Sequence, residues 1–215
     1  ALVAQTYPSR FFNVSCDLDP STKMAKAAGF LPEGNKFQMS IEEQVSALMA
    51  NGLSLTSNEP HVAVFATFAA FFEGIAREGL ELWRYTRNLN GVNEGVNAIM
   101  HLSHVGACTG RDHFSGWSLD WITLAMGYLP YLDRFYTPAD ARGAFLATYD
   151  ACSRYGASIV GIPRDNLPVL AGPDGSALYD PEDEWTPTSV LKATPGADKA
   201  VLAMGATAYL ADEAA

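Results

Sequence analysis

Charge is scarce in this sequence, and positive charge scarcer still. Only 18% of the 215 residues are Asp, Glu, Lys or Arg, and 14 Lys and Arg face 24 Asp and Glu, a net charge of −10. So acidic a chain lacks the Lys and Arg that nucleic-acid phosphates demand, and it is equally unsuited to an anionic membrane surface. Cysteine is sparse too. Cys16, Cys108 and Cys152 are odd in number and scattered among apolar neighbours, which excludes a disulfide framework and a metal-binding spacing. A reducing, cytosolic compartment is the natural expectation. Long apolar runs are missing: the longest, His61 to Phe72, is too short to span a bilayer. There is no G-x-S-x-G elbow, no Walker loop and no G-x-G-x-x-G after a strand, and Gly172-Pro-Asp-Gly175 matches none of these. His101 and His104 are three apart, but on a strand-to-loop segment that points them differently, so no zinc site is expected. What remains is 48% hydrophobic residues, enough for a globular chain with a substantial core.

The pattern of that core alternates strand and helix. Phe11 to Cys16 reads as a short strand. It ends in the polar turn Asp17 to Thr22, which opens into a helix containing Met24 and Ala25 to Ala28. Phe37-Gln38-Met39 is β-compatible. Ser40 then precedes Glu43 by three, with Val45, Leu48, Met49 and Leu53 at helical spacing behind them, which predicts a capping box and a helix. Val62 to Phe65 is β-rich, and Ala66 to Leu82 reads as a helix with Phe68, Phe71, Phe72 and Ile75 on one side. Asn88 to Asn97 is turn-rich. Ala98 to Leu102 is strand-like and leads into the Gly-bearing loop His104 to Gly116, before a helix over Trp117 to Tyr128. Arg134 to Tyr136 is a short strand. Thr137-Pro138 reads as an N-cap with proline at the first helical position, opening the helix Ala141 to Tyr155. Ala157 to Ile162 is the last strand of the unit. The expectation is an α/β domain over residues 1–170, a mostly parallel twisted sheet with helices on both faces. Residues 171–196, rich in Gly, Pro and Asp, read as a linker, and 197–215 as the beginning of a second α/β domain. Both ends read as cut through helices, so a fragment or a partial chain is expected.

Polar residues gather just after the strands, where open parallel sheets bind ligands. Asp17 and Ser21 follow the first strand and Glu43 the second. His104, Asp112 and His113 follow the fourth, and Arg164 the last. Each has a structural reading as well: Asp17 to Ser21 as a turn and cap, His101 as a satisfied core histidine, the phenylalanines as core, Arg164 as a surface ion-pair partner, Glu43 as a plain helix cap. Their shared position points to a site, with Glu43 as its catalytic carboxylate.

These segments resemble the pyrimidine-binding (Pyr) domain of transketolase-like thiamine-diphosphate enzymes. Cys16-Asp-Leu-Asp-Pro-Ser21 resembles that family's "ADLAPS", and Met39-Ser-Ile-Glu-Glu-Gln44 its "GIAEQ", with Glu43 in the glutamate's place. Ala66-Thr-Phe-Ala-Ala-Phe71 resembles "STFxxF", and His104-Val-Gly-Ala-Cys-Thr-Gly-Arg-Asp112 resembles "HDSIGxGEDG". Tyr136 to Asp140 is similar to "VxxPAD", Ile162 to Pro168 to "LSRQNLP", and Lys199 to Ala215 to the opening of the family's C-terminal domain. Order and approximate spacing hold from about Phe12 to the chain end. The resemblance implies thiamine diphosphate as cofactor. Glu43 would sit on the aminopyrimidine ring nitrogen to favour the imino tautomer, with Phe68 and Phe71, on one helix face, stacked against the ring. His104 would stand near the reacting carbonyl. Ser21, Asp112 and Arg164 would hold substrate hydroxyls or a phosphate, and His113 would substitute for the family's second loop histidine, whose place falls at Gly116.

The diphosphate and its Mg²⁺ (or Ca²⁺) need a Gly-Asp-Gly loop, and the sequence contains none. The resemblance therefore implies a diphosphate-binding (PP) domain elsewhere, in a partner subunit or a missing N-terminal part, within a homodimer or heterotetramer. This chain would supply no metal ligand and would be inactive without that domain. Two alternatives stay open. The loop Asp112 to Ser118 and the long segment Leu82 to Asn97 also resemble the β-type subunit of 2-oxoacid dehydrogenase E1 components, which would make the substrate a 2-oxo acid rather than a sugar phosphate. A non-catalytic assembly subunit is the third reading.

Overall fold

The computed structural model of the chain describes residues 1–55, 61–75, 79–80, 97–105, 123, 126–127, 134–154 and 156–214. Among the described residues six strands form one sheet: β1 (Phe11–Ser15), β2 (Lys36–Gln38), β3 (Val62–Phe68), β4 (Ala98–Ser103), β5 (Arg134–Tyr136) and β6 (Ser158–Gly161). Their order is β2-β1-β3-β4-β6-β5, and every pairing is parallel. The helices are α1 (Leu2–Thr6), α2 (Ala25–Ala28), α3 (Glu43–Leu53), α4 (Ala141–Ser153) and α5 (Thr207–Ala214), and residues 72–75 are also helical. The mostly parallel α/β sheet expected from the sequence is the sheet observed.

A parallel strand buried on both faces must be apolar at every position, and β3 obeys: all seven of its residues are buried. Its alternation divides the core in two. Ala63 and Phe65 join Val14, Met100, Leu102 and Ile159 under α3 and Phe72. Val62, Val64 and Ala66 join Ile99 and Val160 under α1, α2 and α4. Helices thus cover both faces, and each buried Phe contributes about 2–3 kcal/mol by leaving water.

The chain runs from β1 outward to β2, then crosses back to place β3 on the other side of β1. That reversal makes a switch point between the C-terminal ends of β1 and β3, where the ends of the two strands diverge and leave a crevice. α3 spans the crossover and packs on both strands.

Three local expectations differ from the structure. Ser40 does not cap α3. It lies at φ 57°, in the left-handed region, and the helix begins only at Glu43 with Glu42 as its N-cap residue. The tight turn between Ser40 O and Glu42 N (2.9 Å) displaces the hydroxyl from the first turn. The helix expected from Ala66 is strand as far as Phe68, followed by a 3₁₀ turn over Ala69–Phe71. The strand continues because Ala66, Thr67 and Phe68 find partners in His101, Leu102 and Ser103 of β4. Finally, α4 is capped by Asp140, not Thr137: its Oδ1 accepts from Gly143 N at 2.8 Å and its Oδ2 from Leu170 N at 2.9 Å.

Residues 171–196 contain one isolated bridge, Ala171 to Ala177, and no other regular element. They lie against the domain nonetheless, since the Trp185 ring meets Tyr136 edge-on at 5.6 Å. Residues 199–205 form no strand, and Val201 and Leu202 are exposed. Among the described residues no helix is long and apolar enough to cross a membrane.

Candidate active site

Glu43 opens α3 beside the switch point. A carboxylate at a helix N-terminus is stabilised by the unpaired backbone N–H groups there. Its Oε1 accepts from the Thr67 hydroxyl, near the end of β3, at 3.4 Å. Beneath it the Cys16 thiol is buried against Ser46, 3.4 Å from its hydroxyl. Burial, and secondarily the neighbouring Glu43, push that thiol's pKa up, although the Ser46 contact pulls the other way. Cys16 is buried and packs within the core beneath α3.

Phe68 is the last residue of β3 and Phe71 lies in the 3₁₀ turn after it, so they do not share the helix face expected of them. The turn stacks the two rings on each other, centroids 5.9 Å apart and planes at 23°. Phe68 also meets His104, centroids 4.0 Å apart. His104 follows β4 directly, is buried, and is held at φ 61°. Its Nδ1 is 2.9 Å from the Ser103 hydroxyl. One continuous constellation results: Glu43, Thr67, Phe68, Phe71, His104 and Ser103, drawn from α3, β3 and β4. A cleft of about 650 Å³ opens next to it, lined by Glu43 and Phe71 together with Glu42, Gln44, Glu73 and Ile75. Three carboxylates around one cleft favour a cationic guest.

The loop after β1 is tied down from several directions. Asn13 Nδ2 donates to Asp19 Oδ1 at 3.0 Å, and Gln38 Nε2 donates to Asp19 Oδ2. His101 Nε2 lies 2.8 Å from Thr22 O, and burial pushes its pKa down, which keeps the ring neutral. His101 is thus a donor to the loop and does not join His104. Ser21 stands exposed on this loop. Arg164 is half-buried in the bend after β6. Both flank the same sheet edge. Asp112, His113 and Gly116 lie outside the described residues. Among the described residues no group of His, Cys, Asp and Glu is set to hold a metal ion. Sequence reasoning gave no role to Thr67 or Ser103. The signal was present in their positions, one residue before Phe68 and one before His104.

No protein-family model and no curated protein matches the sequence. Solved structures do. A split-gene transketolase, solved as an inactive β4 tetramer, superposes over 86% of this chain and 52% of that one, with a TM-score of 0.59 and 23% identity. The fold is transketolase-like. The transketolase of Pichia stipitis in complex with sedoheptulose 7-phosphate matches 79% of this chain with a TM-score of 0.61 and 17% identity. That of Leishmania mexicana matches 77% with a TM-score of 0.59 and 18% identity. This chain spans about half of the split-gene protein and a quarter or less of the other two. In this chain Glu43, Phe68, Phe71 and His104 lie together at the C-terminal end of the parallel sheet.

Proposed function

We propose that this chain is the Pyr-domain part of a thiamine-diphosphate-dependent, transketolase-like transferase of ketol or acyl units, its active site completed by a PP domain. The observation that carries this reading is the contact of Glu43 with Thr67 beside the Phe68–Phe71 ring pair, at the switch point of a transketolase-like fold. The residues fit the aminopyrimidine half of the cofactor. A carboxylate is in place to accept a ring N–H, and two aromatic rings stand by to flank a flat heterocycle. They do not supply the diphosphate half, which is assigned to the PP domain with its Mg²⁺ or Ca²⁺. An exposed apolar stripe supports such a partner: Ile41 is 85% exposed, and Val45 and Leu48, on the adjoining turns of α3, are about half so. Apolar side chains rimming a catalytic cleft are suited to being covered.

Thiamine diphosphate, when bound, supplies the nucleophilic carbon and the electron sink for breaking a carbon–carbon bond beside a carbonyl. This chain's residues orient and exchange protons. Glu43 holds the proton at the pyrimidine ring nitrogen, Thr67 fixes the carboxylate's rotamer, and Phe68 and Phe71 exclude water from the ring face. His104 holds or moves a proton at the substrate carbonyl oxygen. Ser21 and Arg164, with Asp112 and His113, bind the hydroxyls and phosphate of a sugar phosphate, Arg164 through its guanidinium fork. The free thiols of Cys16 and Cys152 suit a reducing, cytosolic setting.

Glu43→Gln is the direct test, assayed with the PP-domain partner, thiamine diphosphate and Mg²⁺. Loss of a proton-handling carboxylate lowers turnover of a ketose phosphate by roughly 10²–10⁴-fold, and undiminished turnover would sink the reading. Release of CO₂ from a 2-oxo acid, with ketose phosphates untouched, would transfer the assignment to the E1 β-type reaction. Native mass spectrometry of the purified assembly measures the partner and the cofactor stoichiometry together.

A further inference from the structure

Ser21 stands exposed on the loop between β1 and α2, and the chain is anchored on either side of it. Two residues earlier, Asp19 is buried. Its Oδ1 accepts from Asn13 Nδ2 on β1 at 3.0 Å, and its Oδ2 accepts from Gln38 Nε2 on β2. Its main-chain carbonyl accepts from Met24 N at 2.8 Å and from Ala25 N at 3.1 Å, where α2 begins. One residue after Ser21, the Thr22 carbonyl accepts from His101 Nε2 on β4 at 2.8 Å. Anchors on three strands thus bracket Ser21. The arrangement is costly. Among the described residues no cation pairs with Asp19, and a buried carboxylate without one depends on the donors it finds. Asn13 is fully buried, and its own Oδ1 has no partner among the described residues, so an apolar side chain there would avoid an unmade hydrogen bond. Asp17 and Lys23, at the two ends of the loop, lie at φ 60° and φ 65°. Such strain persists only where the surroundings over-determine the backbone. Stability accounts for none of these features, whereas a fixed position for the loop accounts for all of them.

We infer that Asp19 is a positioning residue, whose carboxylate ties the loop to β1 and β2 and so sets where Ser21 stands at the sheet edge. A carboxylate suits this post because both of its oxygens accept, one amide from each strand. Gln38 is the last residue of β2, the outermost strand on that side of the sheet. The same carboxylate therefore joins the end of that strand to the loop. The order of the loop follows from these contacts alone. Its effect on substrate rests on the proposed function, in which Ser21 holds a sugar-phosphate hydroxyl or phosphate.

The test is backbone hydrogen exchange in the purified chain, followed by NMR. The amides to watch are Thr22, bonded to Leu18 O, and Met24 and Ala25, bonded to Asp19 O. Asp19→Ala should speed their exchange roughly 10-fold, about the worth of one net hydrogen bond. The amides of Ala147 and Ala151, within α4, should keep their wild-type rates. Asp19→Asn should leave the loop as in wild type. The Asn13 amide can turn over so that its Oδ1 accepts from the new side-chain NH2, while Gln38 still donates to the new oxygen. Gln38→Ala, at an exposed position, removes one bond only and should act as Asp19→Ala does, by less, even if Asp19→Ala fails to fold. Wild-type loop exchange in Asp19→Ala and Gln38→Ala overturns the inference. So does an Asp19→Asn loop as fast as that of Asp19→Ala, or an equal rise at Ala147 and Ala151, which would mark general loosening. In the assembled enzyme, Asp19→Ala should raise KM for a ketose phosphate roughly 10-fold with kcat held, and Asp19→Asn should restore it. A released loop with KM unmoved would overturn Asp19's part in placing substrate. If the loop behaves as stated but wild type shows no thiamine-dependent turnover, the functional reading fails and the anchoring by Asp19 stands.

Discussion

His101 and His104 stand three residues apart and are held for different purposes. His101, on β4, faces the helical layer that includes α2 and binds Thr22 O. Burial depresses its pKa from the ordinary 6.5. In the unfolded chain it takes up a proton near pH 6.5, whereas the folded chain resists doing so. The unfolded state therefore binds more protons at acid pH, and stability is lost as pH falls below about 6.5, by at most about 1.4 kcal/mol per pH unit. Urea midpoints measured from pH 7.5 to 5 should fall in wild type and fall less steeply in His101→Gln. The mixed fate of the two histidines was partly legible. Their position at a strand end and loop start already separates the side chains. Which of them meets an aromatic ring depended on the β3–β4 register, which pairs Phe68 with Ser103 and is not a local property. Glu43 was legible for its place after β2. Its partner Thr67 was not, because nothing in a single sequence tells how far β3 runs.

At the scale of elements, the strands were readable and the caps were not. Short apolar runs rich in β-branched residues mark β3 and β6 as buried strands, though not where β3 ends. Helix starts depend on side-chain contacts that many Ser, Thr and Asp residues could make. Ser40 and Thr137 are each followed by a helix, yet Glu42 and Asp140 stand at the N-cap positions. The aromatic spacing 68, 71, 72, 75 mimics one helix because a strand end, a 3₁₀ turn and a helix happen to run together there. Asp140 is buried and binds two backbone N–H groups, one in α4 and one at Leu170. Asp140→Ala should destabilise the chain by about 2–3 kcal/mol, more than an ordinary cap, because the Leu170 N–H loses its partner too. Asp140→Asn should cost less, because its oxygen keeps one of the two bonds. Chemical denaturation of the two variants checks the ranking.

For the whole molecule, the exposed stripe Ile41, Val45 and Leu48 beside the cleft predicts, under the proposed function, that assembly with the proposed PP-domain partner and catalysis share a border. Val45→Glu combined with Leu48→Glu should leave the chain folded, as read by circular dichroism. It should weaken co-purification with the PP-domain partner at least 10-fold, since two charges would be desolvated at the contact. Among the described residues, four other than glycine, Asp17, Lys23, Ser40 and His104, adopt a left-handed backbone. Three of them come within two residues of the ends of β1, β2 and β4. Each costs about 1 kcal/mol that glycine would not. Ser40→Gly should therefore raise the melting temperature by about 2–4 °C, a gain readable by differential scanning calorimetry. The same exchange at His104 would relax the same strain and remove the imidazole. A directed-evolution campaign selecting only for heat resistance would thus be drawn toward the ligand edge of the sheet. It would improve the scaffold at Ser40 and, under the proposed function, erase the chemistry at His104, unless turnover were selected alongside.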